Sequence, residues 1–187
     1  IQINYGIKTG YNEAFIIYGK IKDELIKKDP KSAEIIKPIL RGRDIKRYKA
    51  EFADLWLIGT FPALNLNIEE YPAIKEYLEQ FLPKIKQTGE VFIDKNGKEQ
   101  KTRKKTGNKW FETQDQIAYY KEFEKEKIVY NDISQQLAFS LCESGMYFNN
   151  TVYFITNSIF NKYFLAILNT RIIDWYYKRT SAQLGKN

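Results

Sequence analysis

The feature that most constrains the fold is the brevity of the apolar runs. Residues 55–58, 127–130, 137–141, 146–148 and 152–155 are short bursts rich in apolar and aromatic side chains, with polar, charged or turn residues between them. Segments of this length fit short strands. None approaches the ~20 apolar residues of a membrane-spanning helix. Residues 1–10 also lack the charged start and apolar stretch of a signal peptide.

Helical spacing stands out in a few places. Pro72 suits a first helical turn, and Ile74, Tyr77, Leu78, Phe81, Leu82 and Ile85 follow at steps of three and four, making one apolar stripe. Pro83 removes a donor and crowds the carbonyl of Glu79, so the helix should end or kink there. Residues 20–28 predict a short helix stopped before Asp29-Pro30. A closing helix is expected after Asn157 or Ser158, with Phe160, Tyr163, Phe164, Ile167, Leu168, Ile172 and Trp175 facing the core.

Turn chemistry joins the strands. Asn96-Gly97 after residues 91–94 is a strong hairpin signal. Residues 3–18 read as two strands around the tip Thr9-Gly10-Tyr11-Asn12, and Asn149-Asn150 as the turn between residues 146–148 and 152–155. The expected fold is therefore mixed α+β: mostly antiparallel short strands with hairpins, packed against a few helices and closed by a C-terminal helix. The expectation is one domain over 1–187, with 159–187 as its helical extension. Lacking an initiator Met, the chain reads as a fragment of a larger protein.

Composition excludes much chemistry. With 187 residues, 43% hydrophobic and 16% aromatic, the chain has the apolar mass for a core. It has no histidine, which removes Ser-His and Cys-His nucleophile pairs and His-containing zinc sites. The single Cys142 forms no intrachain disulfide; it lies in an apolar stretch and reads as a buried thiol, in keeping with a cytoplasmic protein. No two prolines are adjacent, so the Asn/Asp-Pro-Pro-aromatic segment that holds a flipped base is missing, as is a phosphate loop of the Lys-Ser/Thr type. No catalytic residue and no metal ligand is expected in this chain. Asp94, Glu99 and Lys101 could make a magnesium nuclease in principle, but they flank the Asn96-Gly97 tip, where nothing excludes water.

The net charge of +7 is concentrated in blocks. Residues 84–109 hold nine Lys/Arg against three Asp/Glu, and residues 161–187 hold five against one. Discrete basic blocks suit a polyanion-binding face, although a solvated basic surface reads equally well from charge alone. Arg41, Arg43, Lys46 and Arg47 cluster around Gly42, where a backbone without Cβ allows close approach and guanidinium forks suit a phosphate or a guanine edge. The competing reading is a solvated turn in which Asp44 pairs with an arginine. Lys101, Arg103, Lys104, Lys105 and Lys109 precede Trp110-Phe111, a pattern that suits phosphates and stacking. Trp110 taken alone reads more readily as a core anchor for that loop, since Trp is usually largely buried.

Several segments, taken in order, resemble one family. They are GIKTGYNEAFII at 6–17, IIKPILRGRDIKRY at 35–48, EEYPAIKEYLEQFLPKI at 69–85, KWFE at 109–112, KEKIVYNDIS and GMYFNNTVYFI in the strand region, and YFLAILNTRIIDWYY at 163–177. The family is the TaqI-like C-terminal specificity domain, found in fused type IIG (Eco57-type) restriction-modification enzymes and related adenine-specific DNA methyltransferases. The resemblance implies a parent with an upstream methyltransferase domain and often a nuclease domain. S-adenosylmethionine and magnesium would serve that parent, and this chain would need no cofactor of its own. It implies double-stranded DNA as partner, together with the methyltransferase domain of the same polypeptide. The expected DNA-contacting set is then Lys8, Thr9, Tyr11 and Asn12 at the opening tip, with the two basic clusters and Trp110. Residues 86–109 are longer and more basic than the family pattern, so individual specificity is expected there. An RNA-binding or protein-interaction module is the rival reading, since aromatic strands with basic loops also suit single-stranded RNA.

Overall fold

A computed structural model describes residues 1–131, 137–156 and 161–180. In chain order the elements are β1 (Gln2–Tyr5), α1 (Asn12–Phe15), β2 (Ile16–Tyr18), α2 (Gly19–Lys28), β3 (Ile36–Leu40), β4 (Ile45–Lys46), β5 (Lys49–Ala50) and β6 (Leu55–Ile58). There follow α3 (Pro72–Glu79), β7 (Val91–Ile93), β8 (Glu99–Lys101), β9 (Lys127–Asn131), β10 (Phe139–Cys142), β11 (Tyr147–Phe148), β12 (Val152–Thr156), α4 (Asn161–Leu168) and α5 (Arg171–Thr180). The fold is α+β, as the strand and helix spacing predicts. No helix among the described residues is long and apolar enough to cross a membrane.

The chain divides into two compact units and crosses between them within β3. The first comprises Ile1–Ile7, Pro38–Ala53 and Tyr119–Asn187. Its main sheet has the order β1-β12-β9-β10, antiparallel throughout, with registers such as Ile3↔Ile155 and Phe154↔Val129. Phe123, Val129, Phe148, Val152 and Phe154 are fully buried beneath it, and Phe123 stacks on Tyr147 with ring centroids 4.5 Å apart. Lys127 is buried among them. Burial pushes its ammonium down to about 8, and the carbonyls of Phe123, Lys125 and Glu143 accept its protons at 2.6, 2.8 and 3.0 Å. Cys142 is buried and free, as its apolar setting suggests, and burial pushes its thiol up to about 11.

The second unit comprises Lys8–Lys37 and Asp54–Ala118. Here β2 pairs with β6 in antiparallel register, Ile17 facing Trp56. The α3 stripe is core at Ile74, Leu78 and, beyond the helix, Ile85, all 0% exposed. The helix stops at Glu79, the residue whose carbonyl Pro83 crowds. β7 and β8 form the expected hairpin, with Gly97 at φ 75°, the left-handed conformation its turn requires.

Three expectations fail. Residues 3–18 are not a hairpin: β1 pairs with β12, β2 pairs with β6, and residues 12–15 between them form a helical turn. The turn at Asn149 exists, with Val152 N–H donating to the Asn149 carbonyl at 3.1 Å, but β11 leaves β12 to run parallel to Ile39 and Leu40 of β3. The closing helix is two helices. Thr170 caps the second through its hydroxyl, which accepts from Ile173 N–H at 3.4 Å. Asn169, 4% exposed, is held by Phe139, whose N–H and carbonyl meet its carboxamide at 3.1 and 3.0 Å. The stripe consequently splits. Leu165 is buried, while Tyr163, Ile172 and Trp175 are 66%, 76% and 56% exposed. Phe160 lies outside the described residues, as does the helix start expected at Asn157 or Ser158.

Candidate nucleic-acid interface

The first basic cluster sits on a single 3-10 turn, Gly42–Asp44, that follows β3. Arg41 closes this turn. Its Nε and Nη2 each donate to the Asp44 carboxylate at 2.9 Å, and its backbone N–H donates to the same group at 2.8 Å. Burial would raise the Asp44 carboxyl, but the hydrogen bonds and charge of Arg41 outweigh it, and the group is held below its ordinary value. Gly42 has a steric reason to be glycine: a Cβ there would lie 2.8 Å from Asn131 Oδ1 and 2.9 Å from Thr151 Oγ1. The turn thus presents Arg43 outward. Arg43 and Lys46 are exposed and have no hydrogen bond or ion pair among the described residues. Arg47 is exposed but engaged, donating to the Asn169 carbonyl.

Against this turn opens a cleft of about 540 Å³. Arg43, Lys46 and Arg47 line it from the turn, Arg171 and Lys178 from α5, and Asn131 from the end of β9. Among the described residues Asp174 is the one carboxylate in its wall, and Lys178 binds it at 2.6 Å. Five cations against one carboxylate, among the described residues, make this wall positive, and the size of the cleft suits a nucleotide-sized group.

The second cluster belongs to the second unit and is built differently. Arg103, expected at a phosphate, is 4% exposed. Its guanidinium donates to four backbone carbonyls: Ile85 at 2.8 Å, Thr9 at 2.7 Å, Glu112 at 2.8 Å and Trp110 at 2.6 Å. It also lies 4.9 Å over the Phe15 ring, and burial lowers its pKa to about 10. Arg103 is therefore not available to a ligand; it organises the loops around it. Its neighbours Lys101, Lys104 and Lys105 are exposed and have no hydrogen bond or ion pair among the described residues. Lys109 is exposed, with its Nζ 3.4 Å from the Leu66 carbonyl. Trp110 is half-buried, edge-on to Phe111.

At the opening tip, Lys8 is exposed, but Thr9 is 1% exposed and donates to Asn12 Oδ1 at 2.7 Å, which removes it from a ligand's reach. Asn12 is exposed with its oxygen so engaged. Tyr11 is half-buried under Lys84, and burial together with Glu13 pushes its hydroxyl up to about 12. Asp94, considered as a metal ligand, instead caps its own hairpin turn, accepting from Asn96 and Lys98 N–H at 2.9 and 3.0 Å. Among the described residues no three His, Cys, Asp or Glu side chains group as metal ligands would. Asn131, Arg171 and Lys178 were not singled out from the sequence. The basic C-terminal block pointed toward the latter two, whereas a lone Asn at a strand end carries no signal.

Comparison with known proteins agrees with this architecture. No curated protein matches the chain. Among solved structures, the type IIL restriction-modification enzyme MmeI, determined in complex with DNA, is similar in fold, with a TM-score of 0.60 at 12% identity. The match covers 98% of this chain and 22% of that one, so the chain spans about a fifth of the enzyme it resembles. The family model of the TaqI-like C-terminal specificity domain matches residues 37–186, which takes in the Gly42 turn, the Arg103 loop and both C-terminal helices. The chain belongs to the TaqI-like C-terminal specificity domain family.

Proposed function

We propose that this chain is the DNA target recognition domain of a restriction-modification enzyme, and that it holds duplex DNA while a methyltransferase domain of the same polypeptide modifies an adenine at N6. The observation that carries the reading is the cleft at Gly42, where, among the described residues, five cations face one carboxylate that is already paired. Such a surface attracts a phosphate backbone, and counterions are released as it binds. The exposed lysines at 101, 104 and 105 add unpaired charge on the other unit. Phosphate contacts of this kind set position, and a smaller set of side chains reads base edges. The chain contributes recognition and not chemistry. S-adenosylmethionine, and magnesium where the parent also cleaves, would be bound by other domains of a type IIG enzyme in the cytoplasm.

The test is duplex binding measured across a salt series by fluorescence anisotropy, with single-stranded DNA and RNA of the same sequence at matched salt. Duplex affinity is expected to fall by roughly three orders of magnitude or more between low and physiological salt. Salt-independent binding, or none at low salt, overturns the reading. Preference for single strands would replace it with the RNA-type module. Adenine methylation of duplex by the full-length gene product tests the finer assignment.

A further inference from the structure

We propose that the β7–β8 hairpin enters the major groove of duplex DNA as a two-stranded ribbon, with Val91 and Ile93 set against thymine methyl groups. The proposal rests on the DNA-binding reading above and deepens it.

The argument starts from the two faces of the hairpin. Its register pairs Val91 with Lys101, Phe92 with Gln100 and Ile93 with Glu99. Partners across an antiparallel pair share a face, so Phe92 and Gln100 lie on one side and the other four residues on the opposite side. The first side is seated. Both residues are half-buried, and they line a cavity of about 330 Å³ with Tyr11, Phe81 and Lys84. All four residues of the second side are exposed, Val91 at 57% and Ile93 at 65%. A hairpin with one seated face ordinarily carries polar residues on the other. Here two β-branched side chains stand side by side on it. The stem is tied down as well: Gly89 N–H donates to the Arg103 carbonyl at 3.0 Å, and Thr102 N–H to the Glu90 carbonyl at 2.9 Å. Asp94 holds the turn at the far end. The shape of the ribbon is therefore fixed before any partner arrives.

The surroundings of the apolar pair select that partner. Lys95 and Lys98 flank the tip, Lys101 shares the outer face, and Lys104 and Lys105 follow the stem, all of them exposed. An apolar pair set among lysines is a poor surface for another protein, because the centre of such interfaces is depleted in lysine. It also offers a single strand no ring to stack on, since Phe92 is on the seated side. A duplex answers both features. Phosphates meet the lysines, and the major groove admits a two-stranded ribbon. The base edges there carry one apolar group, the C5-methyl of thymine. Glu99, on the same face, accepts, and the amines of cytosine and adenine are the donors that this groove offers. The minor groove is much narrower and displays no methyl.

The experiment begins with selection of duplexes from a random pool by the 187-residue chain at low salt, followed by sequencing. Thymines of the enriched duplex are then replaced one at a time by deoxyuridine, which removes the methyl and keeps pairing and charge. Affinity is read by fluorescence anisotropy for the wild type, Val91→Ser and Ile93→Ser. The wild type is expected to lose about fourfold at one or two thymines, the effect of uncovering one carbon. Each variant should bind the thymine duplex less tightly and lose nothing further from deoxyuridine at the position its side chain covered. Thermal melting checks that the variants fold; if they do not, the deoxyuridine series on the wild type carries the test. A selection that enriches no A·T pair, or a wild type indifferent to deoxyuridine, overturns the proposal and leaves DNA binding intact, and the apolar pair then belongs to a protein contact. A methyl effect that survives both substitutions overturns it too, by placing the contact elsewhere. Failure to bind any duplex removes the DNA reading, and the proposal with it.

Discussion

The turn at Gly42 and the loop from Lys101 to Trp110 carry the same kinds of side chain and use them in opposite ways. In the turn, one arginine is spent on structure and the next is left open: Arg41 closes on Asp44, and Arg43 is presented beyond it. In the loop the arginine is the structural residue and the lysines are open. Arg103 ties together carbonyls from residues 9, 85, 110 and 112, while Lys101, Lys104 and Lys105 stand in solvent around it. The difference follows from the side chains. A planar guanidinium with five donors can satisfy several carbonyls at once and tolerates burial in a fixed geometry. An ammonium on a four-carbon stem is better left hydrated. A basic run in sequence is therefore two populations, and geometry decides which residue joins which.

The largest expected effect tests the buried member. Arg103→Ala removes the donors to four carbonyls and should cost on the order of 3–5 kcal/mol of stability. Arg103→Lys keeps the charge but supplies only three donors from one point, so it should lose most of the same amount. Arg43→Ala and Arg43→Lys, at an exposed position, should stay within about 0.5 kcal/mol. Thermal melting reads all four. If Arg103→Lys melts with the wild type, the carbonyl network is not what holds those loops, and the contrast between the two regions fails.

A smaller effect separates Arg41 from Arg43 within one turn. Arg41→Ala strands the Asp44 carboxylate, 7% exposed, and should cost about 1–3 kcal/mol at neutral pH. The pH dependence has a definite sign. The folded-state pKa of Asp44 lies below its ordinary value of 3.8, so its contribution is present above pH 3.8 and is lost as pH falls through the lower folded value. The gap between wild type and Arg41→Ala should therefore close on acidification below pH 3.8. A gap that is constant with pH would mean that the ion pair is not the lock.

Much of this architecture was legible in the sequence, and the failures share a cause. Residues 55–58, the helix ended by Pro83 and the hairpin at Asn96-Gly97 were found because each is specified by local chemistry: apolar length, a missing donor, a turn residue with positive φ. The opening strands and β11 were misjoined because turn residues say where a chain reverses and not which strand it next meets. β1 finds its partner about 150 residues away. The C-terminal stripe was legible as helix but not as core. Periodicity marks one face, and burial needs something opposite it, which Leu165 has and Ile172 lacks. The charge blocks located both basic regions. They could not show that Arg103 differs from its neighbours, because the carbonyls that claim it come from three separate stretches of the chain, at Thr9, at Ile85 and at residues 110–112.

The next effect is on binding alone. Arg43 leaves a turn that Arg41 locks, so its backbone is fixed, and a planar fork that meets a phosphate or a guanine edge gains from two bonds where an ammonium makes one. Arg43→Ala should weaken duplex binding by about tenfold at fixed salt, and Arg43→Lys should be nearly as damaging. If Arg43→Lys binds as the wild type does while Arg43→Ala fails, only charge matters there. The turn would then act as the lysine loop does, and the comparison between the regions would narrow to stability.

The smallest effect belongs to the lysines, and it is the one that tests their assignment most directly. Lys101, Lys104 and Lys105 have no partner among the described residues to hold them in one direction, so each is a charge without a fixed aim. Such a charge finds a phosphate in any sequence and releases about one counterion in doing so. Replacing each with Gln should leave melting within about 0.5 kcal/mol. It should weaken binding to all duplexes alike and flatten the plot of log affinity against log salt by about one unit per lysine. Arg43→Ala should flatten the same plot by no more than one such unit, yet cost more affinity than a single lysine, because it loses geometry as well as charge. A triple Lys→Gln variant with an unchanged slope would make the loop a solvated face that never meets the backbone. A triple variant that lost binding to some sequences and not others would mean that the loop reads bases, and that its lysines are aimed after all.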